Sequence, residues 1–345
     1  MGPELRVAVV QAPAVFLDRE ASTRRATEYI REARRRGVQL VVFPEGFIPG
    51  HPVWYHFHPA TSSAALAMAA ELFENAVEVP GPTVTTLATA ARAEGVAVVI
   101  GVCERRSATS GTLQNSQLFI DRDGELVGKH QKLTPTNGER LVHAGGYGDT
   151  LKTFDMRSAR VSGLICGENS NPLAAAVIAA GYSQIHAASW PNHGGPAEPH
   201  MGGTVLLASR WFAYATGAFV LNACATISEA MAERVAYTAQ DRAFLADRRN
   251  GGGSCIIAPD ASVIAGPMAG DEEGLRVADI DLRECVRTKT IHDYAGHYNR
   301  ADVFTLVVNR YAPSLIEETS RKSTGGAPGD TTDQLGQSQS AAIDI

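Results

Sequence analysis

The sequence predicts an α/β fold in which helices are layered on a mixed β-sheet. Short apolar runs typical of buried strands alternate with segments of helical periodicity along parts of the chain. Elsewhere, apolar runs are separated only by short turn sequences, at residues 121–124 and at Pro259-Asp260, which predicts antiparallel hairpins. The presence of both kinds of connection indicates that the sheet is mixed rather than purely parallel.

The elements can be assigned in order from the N-terminus. Residues 5–11 form an apolar run that predicts a buried strand. Asp18 is predicted to cap the next helix, which has apolar residues at helical spacing and ends at Gly37. The further predicted strands are 38–43, 96–103, 115–120, 126–133, 160–165, 183–188, 218–224, 254–258, 262–265 and 275–280, and the further predicted helices are 64–76, 83–94, 172–180 and 205–216.

The chain is expected to form one domain, residues 1–312, followed by a C-terminal extension, residues 313–345. No internal repeat or linker interrupts the series of elements. The segment 318–345 is rich in Ser, Thr, Gly, Gln and Asp and contains no aromatic residue. Such a segment cannot bury enough apolar surface to offset the entropy of ordering, so we expect it to be disordered.

The composition predicts a globular protein with a large core. Of the 345 residues, 44% are hydrophobic and 20% are charged, which allows folding without disulfides or structural metals. The formal net charge of −6 does not favour a nucleic-acid partner. The sequence shows neither a secretory leader nor an apolar run of about 18 residues, so we expect no membrane partner and a cytoplasmic location.

The spacing of the cysteines does not predict a disulfide framework. Cys103, Cys166, Cys224, Cys255 and Cys285 are odd in number, widely spaced and free of any CxxC pair. This pattern argues against a set of disulfides and against a zinc site. Four of them are expected to be small buried hydrophobic residues, and the question is whether one is a nucleophile.

Two charged side chains stand near strand ends, where residues of α/β sheets often face a ligand crevice. Glu45 follows the second predicted strand, and Lys132 lies in a hairpin strand that runs into a proline turn. Taken alone, Glu45 could be a solvated loop residue and Lys132 an exposed lysine. Glu139 and Arg140 could form only a surface ion pair. Neither segment predicts a function by itself.

Cys166 stands where a buried strand stops, a few residues before the helix that begins near Pro172. This strand–turn–helix arrangement presents a side chain at a sharp corner, as the nucleophile elbow of other hydrolases does. The nearby helix N-terminus and free backbone N–H groups favour a thiolate and could hold an oxyanion. The alternative is a buried structural cysteine.

Taken together, the acid, lysine and cysteine segments resemble the nitrilase superfamily of carbon–nitrogen hydrolases. FPEGFIPG at 43–50, HQKLTPTNGER at 130–140 and DYAGHYNRADVF at 293–304 are similar to segments of its nitrilase branch. The resemblance covers about residues 5–308. It implies that the α/β fold is a four-layer αββα sandwich of the nitrilase type.

The resemblance also implies catalytic roles for four residues. Glu45 would act as general base for the nucleophile Cys166, and Lys132 would stabilise developing charge together with a backbone N–H near Gly167. Glu139 would hold Lys132. The implied reaction converts a small organic nitrile to the carboxylic acid and ammonia through a thioimidate and an acyl-enzyme. We expect no cofactor and no metal.

The same triad leaves other activities open. A nitrile or cyanide hydratase that releases the amide, or an amidase, could use it, and a non-catalytic scaffold with this fold is a further alternative. The candidate substrate-binding residues are Trp54, Tyr55, Thr136, Gly167, Trp190 and Pro191. Family members usually pair through helices, so the resemblance implies a homo-oligomer with a dimer as building block and a spiral as its extended form. The predicted helices 172–180 and 205–216 are the candidate contact faces.

Three positions depart from the family pattern. Gly167, Asn169 and Ala301 stand where many members have Trp, His and Pro, respectively. The absent aromatic side chain at residue 167 reshapes the pocket, so the preferred nitrile, whether aliphatic, aromatic or arylacetic, stays open. The three histidines within 51–58 lack an acid or cysteine cluster that would complete a metal site, so this aromatic segment is expected to line or gate a pocket.

Overall fold

The computed structural model describes residues 4–107, 109–191, 202–314 and 316. One compact unit comprises residues 1–312, and a second comprises residues 313–345. The segment expected to be disordered, 318–345, and most of the loop after Trp190 lie outside the described residues. The domain boundary and the disorder of the extension stay predictions.

Strands and helices follow one another along the chain between residues 4 and 289. Strands β1 to β13 are Glu4–Gln11, Leu40–Val42, Ala97–Arg105, Leu113–Ile120, Leu126–Gln131, His143–Ala144, Phe154–Asp155, Arg160–Ile165, Ile185–Trp190, Phe219–Cys224, Cys255–Ile257, Val263–Ala265 and Gly274–Asp281. Helices α1 to α8 are Arg19–Arg35, Ser63–Asn75, Pro82–Glu94, Pro172–Ala180, Gly202–Thr216, Glu229–Val235, Ala239–Ala246 and Arg283–Lys289. Short 3₁₀ turns occupy Val53–His56, Asn137–Leu141, Cys166–Ser170 and Arg248–Asn250.

Local sequence signals set several helix ends. The Asp18 side chain accepts a hydrogen bond from Ala21 N at 2.8 Å and caps α1, as the sequence predicts. Helix α3 ends at Gly95, whose φ of +63° is a left-handed conformation that glycine adopts without strain. Helix α4 begins with Pro172 in its first turn, where a proline costs no hydrogen bond.

The described strands form two mixed sheets. The first has the order β13-β1-β2-β3-β4-β5, with β6 paired to β4, and its central strands β1, β2 and β3 run parallel. The second has the order β12-β11-β10-β9-β8-β7, with β8, β9 and β10 parallel. The two predicted hairpins are present as the antiparallel pairs β4–β5 and β11–β12.

The layers follow from the side chains that alternate along the strands. On β1, Ala8 and Val10 face a cluster with residues of α1 and α3, whereas Val7 and Val9 face residues of the second sheet. A third cluster joins the other face of the second sheet to α4 and α5. The order is therefore helices, sheet, sheet, helices, which confirms the predicted αββα sandwich.

A fourth apolar cluster lies beside the sandwich and contains residues of α2, α6 and α7. The sequence analysis did not predict α6, α7 or α8. These helices are only seven or eight residues long, which is too short for a convincing helical period in the sequence. In the described part of the chain, no helix is both long and apolar enough to cross a bilayer.

Candidate active site

Glu45 stands just beyond the carboxyl end of β2, where the two sheets meet. The chain crosses directly over Gly101 of β3, and a Cβ at that position would lie only 2.3 Å from the Pro44 carbonyl oxygen. Only glycine allows this close approach of two backbones. The Glu45 N–H donates to the Trp190 carbonyl oxygen at the end of β9, at 3.2 Å. This contact ties the glutamate to the second sheet, and its side chain is buried.

Lys132 follows β5, and its side chain extends to the Glu45 carboxylate. Its backbone N–H donates to the Asn115 carbonyl oxygen at 2.8 Å, which continues the pairing of β4 with β5 by one residue. Its Nζ lies 2.9 Å from Glu45 Oε1 and 2.6 Å from Glu139 Oε2. The ammonium group is fully buried between two carboxylates, so the alternative of an exposed lysine is excluded.

Glu139 lies in the 3₁₀ turn that follows Lys132. Its Oε2 accepts hydrogen bonds from Lys132 Nζ and from the Thr136 N–H, the latter at 2.8 Å. The side chain is buried, so the alternative of a surface ion pair with Arg140 is wrong. The Arg140 Nε donates instead to the Pro135 carbonyl oxygen at 3.1 Å.

Cys166 ends β8 at the predicted sharp corner. Its φ of +54° is a left-handed conformation that is strained for a residue with a side chain, as at a nucleophile elbow. The Asn169 side chain stabilises the turn, because its Nδ2 donates to the Cys166 carbonyl oxygen at 2.9 Å. The backbone N–H of Gly167 acts to lower the pKa of the Cys166 thiol. The backbone therefore presents the thiol in one direction with a donor beside it.

Glu168 joins the cysteine turn to the lysine strand. Its Oε2 accepts from the Ile165 N–H at 3.1 Å, and its Oε1 accepts from the Leu133 N–H at 2.7 Å. These two amides belong to the residues next to Cys166 and Lys132. The carboxylate thus fixes the two functional residues relative to one another, a role for which the sequence offered no signal.

Burial and charge give the four groups different proton affinities. Burial raises the pKa of Glu45 to about 7, although Lys132 opposes the shift. Burial also works against the charge of Glu139, but a hydrogen bond from His143 and the charge of Lys132 hold its pKa well below the usual range. Burial opposes the charge of Lys132 as well, yet its anionic neighbours hold its pKa well above 10.5.

The sulfur is a thiol in the resting site. Burial raises the pKa of Cys166 to about 12, and Lys132 and the Gly167 N–H only partly offset this. The sequence analysis expected the backbone donors to favour a thiolate. Desolvation outweighs them, because the sulfur is buried in the cluster between the second sheet and helices α4 and α5. Deprotonation therefore requires a base, and Glu45 is the group whose pKa lies nearest to neutrality among these four.

Three further polar residues adjoin the carboxylates, and the sequence analysis assigned no site role to them. Asn115 Nδ2 donates to both glutamates, and His143 Nδ1 lies 3.1 Å from Glu139 Oε1. His51 Nδ1 stands 3.5 Å from Glu45 Oε1. A single asparagine in a strand and histidines distant in sequence carry no motif, so only the folded chain reveals them.

The predicted substrate-binding residues do not all lie in one place. Tyr55 is in the site: its hydroxyl lies 2.8 Å from His51 Nε2, and burial together with the nearby carboxylates holds its pKa well above 10. Thr136 lies beside Glu139, and Gly167 is exposed next to the cysteine. Trp54 packs instead in the fourth apolar cluster, against Phe16.

Trp190 is the last residue of β9, and Pro191 follows it. The Trp190 ring is buried in the same cluster as Cys166, and its carbonyl oxygen holds the Glu45 backbone. Pro191 is half-buried and is the last residue described before the gap at 192–201. Trp190 therefore borders the site through its carbonyl oxygen, and the substrate-binding role of Pro191 stays a prediction.

The histidines of 51–58 do not converge. His51 adjoins Glu45, whereas His58 Nε2 contacts the Val235 carbonyl oxygen at 3.0 Å. Glu45, His51 and Glu139 have ligand atoms within 4.8 Å of one another, which is a spacing that a metal ion could use. The Lys132 ammonium, however, already contacts both carboxylates. Within the described residues, the Lys132 ammonium thus already supplies the positive charge that a metal ion would bring to this trio.

Comparisons with known proteins agree with this geometry. The family model for carbon–nitrogen hydrolases matches residues 6–290. The chain is 37% identical over 309 residues to an aliphatic nitrilase from Rhodococcus rhodochrous, covering 88% of this chain and 82% of the relative. It is 34% identical over 310 residues to a nitrilase from Bacillus sp. strain OxB-1, covering 89% of each. A crystal structure of a carbon–nitrogen hydrolase from Helicobacter pylori G27 has the same fold, with a TM-score of 0.66 at 16% identity, covering 87% of this chain and 97% of that one.

Proposed function

The chain belongs to the carbon–nitrogen hydrolase family, and we propose that it acts as a nitrilase, converting a small organic nitrile to the carboxylic acid and ammonia. The relatives from Rhodococcus rhodochrous and Bacillus carry that name. The observation that supports the proposal most strongly is the convergence of Glu45 and Lys132 in one buried cluster whose charges act on Cys166. A carboxylate, an ammonium and a thiol are what nucleophilic attack on a nitrile requires.

The first step forms a bond between sulfur and the nitrile carbon. Glu45 Oε2, which is buried without a hydrogen-bond partner among the described residues, takes the proton of the Cys166 thiol as the sulfur attacks. The nitrile nitrogen gains the electron pair and takes the proton that Glu45 received from the thiol, which gives a thioimidate and leaves Glu45 ionised again. Lys132 and the Gly167 N–H stand beside the sulfur and stabilise the negative charge on nitrogen.

Two water molecules complete the reaction. The first loses a proton to Glu45 and adds to the thioimidate carbon, and Glu45 passes that proton to the nitrogen. The new hydroxyl group of the tetrahedral species then gives its proton to the nitrogen as the carbon–nitrogen bond breaks, which releases ammonia and leaves a thioester. The second water attacks the thioester and releases the acid, and the sulfur regains its proton. One nitrile and two waters thus give one acid and one ammonia.

A panel of aliphatic, aromatic and arylacetic nitriles tests the proposal, with ammonia, acid and amide measured in each reaction. We expect acid and ammonia in equal amounts from at least one class, and no turnover by Cys166→Ala. Cys285→Ala is the matched control, because this cysteine is also buried but packs between the sheets, away from the site. Predominant amide would favour a hydratase. Turnover of amides without nitriles would favour an amidase, and full turnover by Cys166→Ala would overturn the mechanism.

We further propose that the protein is a homo-oligomer. Helices α4 and α5 expose the large apolar side chains Leu173, Leu207 and Tyr214, which form a candidate contact face. Sedimentation at micromolar concentration should give a mass above that of one chain, and Leu207→Asp should lower it. A single-chain mass for the parent would contradict the proposal. The cytoplasmic location stays a prediction.

A further inference from the structure

Glu45 and Glu139 lie side by side and share two hydrogen-bond donors. The Asn115 amide gives one hydrogen to each, at 2.6 Å to Glu45 Oε1 and 2.8 Å to Glu139 Oε1. Lys132 Nζ lies 2.9 Å from Glu45 Oε1 and 2.6 Å from Glu139 Oε2. Because these contacts are nearly symmetrical, they do not determine which carboxylate stays anionic and which one exchanges protons.

Two further donors reach Glu139 alone. The Thr136 N–H donates to Oε2 at 2.8 Å, and His143 Nδ1 lies 3.1 Å from Oε1. An ionised carboxylate only accepts hydrogen bonds, so this contact assigns the ring proton of His143 to Nδ1. Glu139 therefore has two donors on each oxygen. In the described residues, Glu45 has both its donors on Oε1, and its Oε2 is buried without one.

The surroundings of His143 indicate that the imidazole serves this contact. The residue begins β6 and is 3% exposed. Within the part of the chain that the structure describes, its Nε2 is buried without a hydrogen-bond partner, so Glu139 is the polar group that its side chain contacts. A purely packing position would be filled at lower cost by an apolar residue, since burying an unpartnered ring nitrogen costs free energy.

We propose that His143 is a positioning residue that determines which of the two glutamates acts as the base, an inference that rests on the proposed nitrilase chemistry. By completing the donors around Glu139, it holds that carboxylate as a fixed anion that anchors Lys132. Glu45 Oε2 is then the free acceptor for the proton of Cys166. The other unshared donor, the Thr136 N–H, belongs to the backbone, so His143 is the side chain through which the asymmetry can be altered.

Removing the His143 donor has a defined consequence. Glu139 would draw more strongly on the donors that it shares with Glu45, so Lys132 and Asn115 would shift towards Glu139. Glu45 would then hold its proton more tightly, and the lysine would stand away from the charge it must stabilise. The titratable groups that act on the two carboxylates are Lys132, His51, His143, Tyr55, Cys103 and Cys166.

The test compares His143→Phe, which keeps a ring without a donor, with His143→Asn, whose amide can donate from nearly the same place as Nδ1. We expect the phenylalanine variant to lose about tenfold or more in kcat with little change in KM, because a displaced Lys132 affects the transition state. The acid limb of kcat/KM should move up by about half a pH unit. The asparagine variant should recover both kcat and the acid limb of kcat/KM, even if its Tm falls as much as that of the phenylalanine variant.

Two results would overturn the inference. One is a phenylalanine variant with kcat within about twofold of the parent and an unmoved acid limb. The other is an asparagine variant as impaired as the phenylalanine variant, since the loss would then reflect packing. If His143→Phe does not fold, His143→Leu, which is close to asparagine in shape but has no donor, takes its place in the comparison with His143→Asn and is judged by the same outcomes.

A readout without substrate separates this inference from the proposed function. If the parent hydrolyses no nitrile, the proposed function fails, but iodoacetamide still reports the reactivity of Cys166 by peptide mass. Alkylation at about pH 8 should be slowed about threefold or more in His143→Phe and restored in His143→Asn, because Lys132 stabilises the thiolate that reacts. Equal alkylation rates in the parent and in His143→Phe would overturn the inference by itself.

Discussion

Replacing Glu45 by glutamine tests the base most directly, because the structure indicates that the amide fits. Both donors to the side chain, Lys132 Nζ and Asn115 Nδ2, point at Oε1. The glutamine oxygen can take that place, and its amide nitrogen then occupies the position of Oε2, which has no partner among the described residues. The fold and the pair between Lys132 and Glu139 should therefore survive, while the proton acceptor is lost.

The expected magnitude follows from the two proton affinities. Burial raises the pKa of Cys166 to about 12 and that of Glu45 to about 7, so the thiol is the weaker acid and full transfer of its proton to Glu45 before attack is unfavourable. Proton transfer must therefore accompany attack. A positioned general base typically contributes about 10²–10⁴-fold, so we expect Glu45→Gln to lower kcat by that factor, or about 3–5 kcal/mol of activation free energy.

The pH dependence gives a second, independent signature. The base must be ionised, and the pKa of Glu45 is about 7, so kcat/KM of the parent should fall about tenfold per pH unit on the acid side of neutrality. The residual activity of Glu45→Gln should lack this limb. Steady-state kinetics with whichever nitrile the parent prefers, from about pH 5 to pH 9, measure both properties.

The matched control is Glu104→Gln. Glu104 is also a buried carboxylate paired with a lysine, Lys129, and hydrogen-bonded to Ser116 on the same sheet. It lies outside the cluster around Cys166, so its replacement should leave kcat and the acid limb unchanged for the folded protein. Retention of more than about a tenth of parental kcat in Glu45→Gln, or an acid limb near pH 7 in that variant, would refute the assignment of the base.

Further predictions concern stability, substrate size and site geometry. Because burial raises the folded-state pKa of Glu45 from 4.5 to about 7, its contribution to the unfolding free energy is fully present below pH 4.5 and is lost as the pH rises to 7. Denaturant unfolding should show Glu45→Gln gaining up to about 3 kcal/mol relative to the parent between about pH 4 and pH 8, and a difference independent of pH would contradict this. Among the described residues, a Cβ at Gly167 would meet only Thr136 Oγ1 within 4 Å, at 3.8 Å, so Gly167→Trp should fold normally but reduce kcat/KM for bulky nitriles more than for small ones; equal effects across a size series would refute it. Glu168→Gln replaces one acceptor oxygen by a donor, so one of the hydrogen bonds that join the ends of the lysine and cysteine strands is lost. We expect kcat to fall by about tenfold. Unchanged kcat at unchanged Tm would show that this hydrogen bond is dispensable.

The layered fold could be predicted because its signals are local. The parallel strands at the centre of the two sheets are largely apolar runs, and Asp18, Gly95 and Pro172 mark helix ends through interactions within a few residues. The short helices α6 and α7 escaped prediction because their packing in the cluster beside the sandwich, rather than their own periodicity, stabilises them.

The candidate site was predicted only in part. Glu45, Lys132, Glu139 and Cys166 stand in recognisable segments, and the structure brings the first three into direct contact with one another. Their catalytic roles stay proposals. Trp54 packs in the fourth apolar cluster, a direction of its ring that the aromatic segment 51–58 does not indicate, and its role at the substrate stays a prediction.

By itself, the sequence determined which residue types end the buried strands and therefore what chemistry the protein can offer. Only the tertiary structure decided how proton affinity is distributed among them. Lys132 and Glu45 are separated by 87 positions, and Asn115 and Glu45 by 70, so their contacts exist only once the sheets have assembled. Burial then raises the pKa of one glutamate, and donors such as His143 lower that of the other. Two identical side chains become different groups because desolvation and hydrogen bonding are properties of a place in the fold rather than of a residue type.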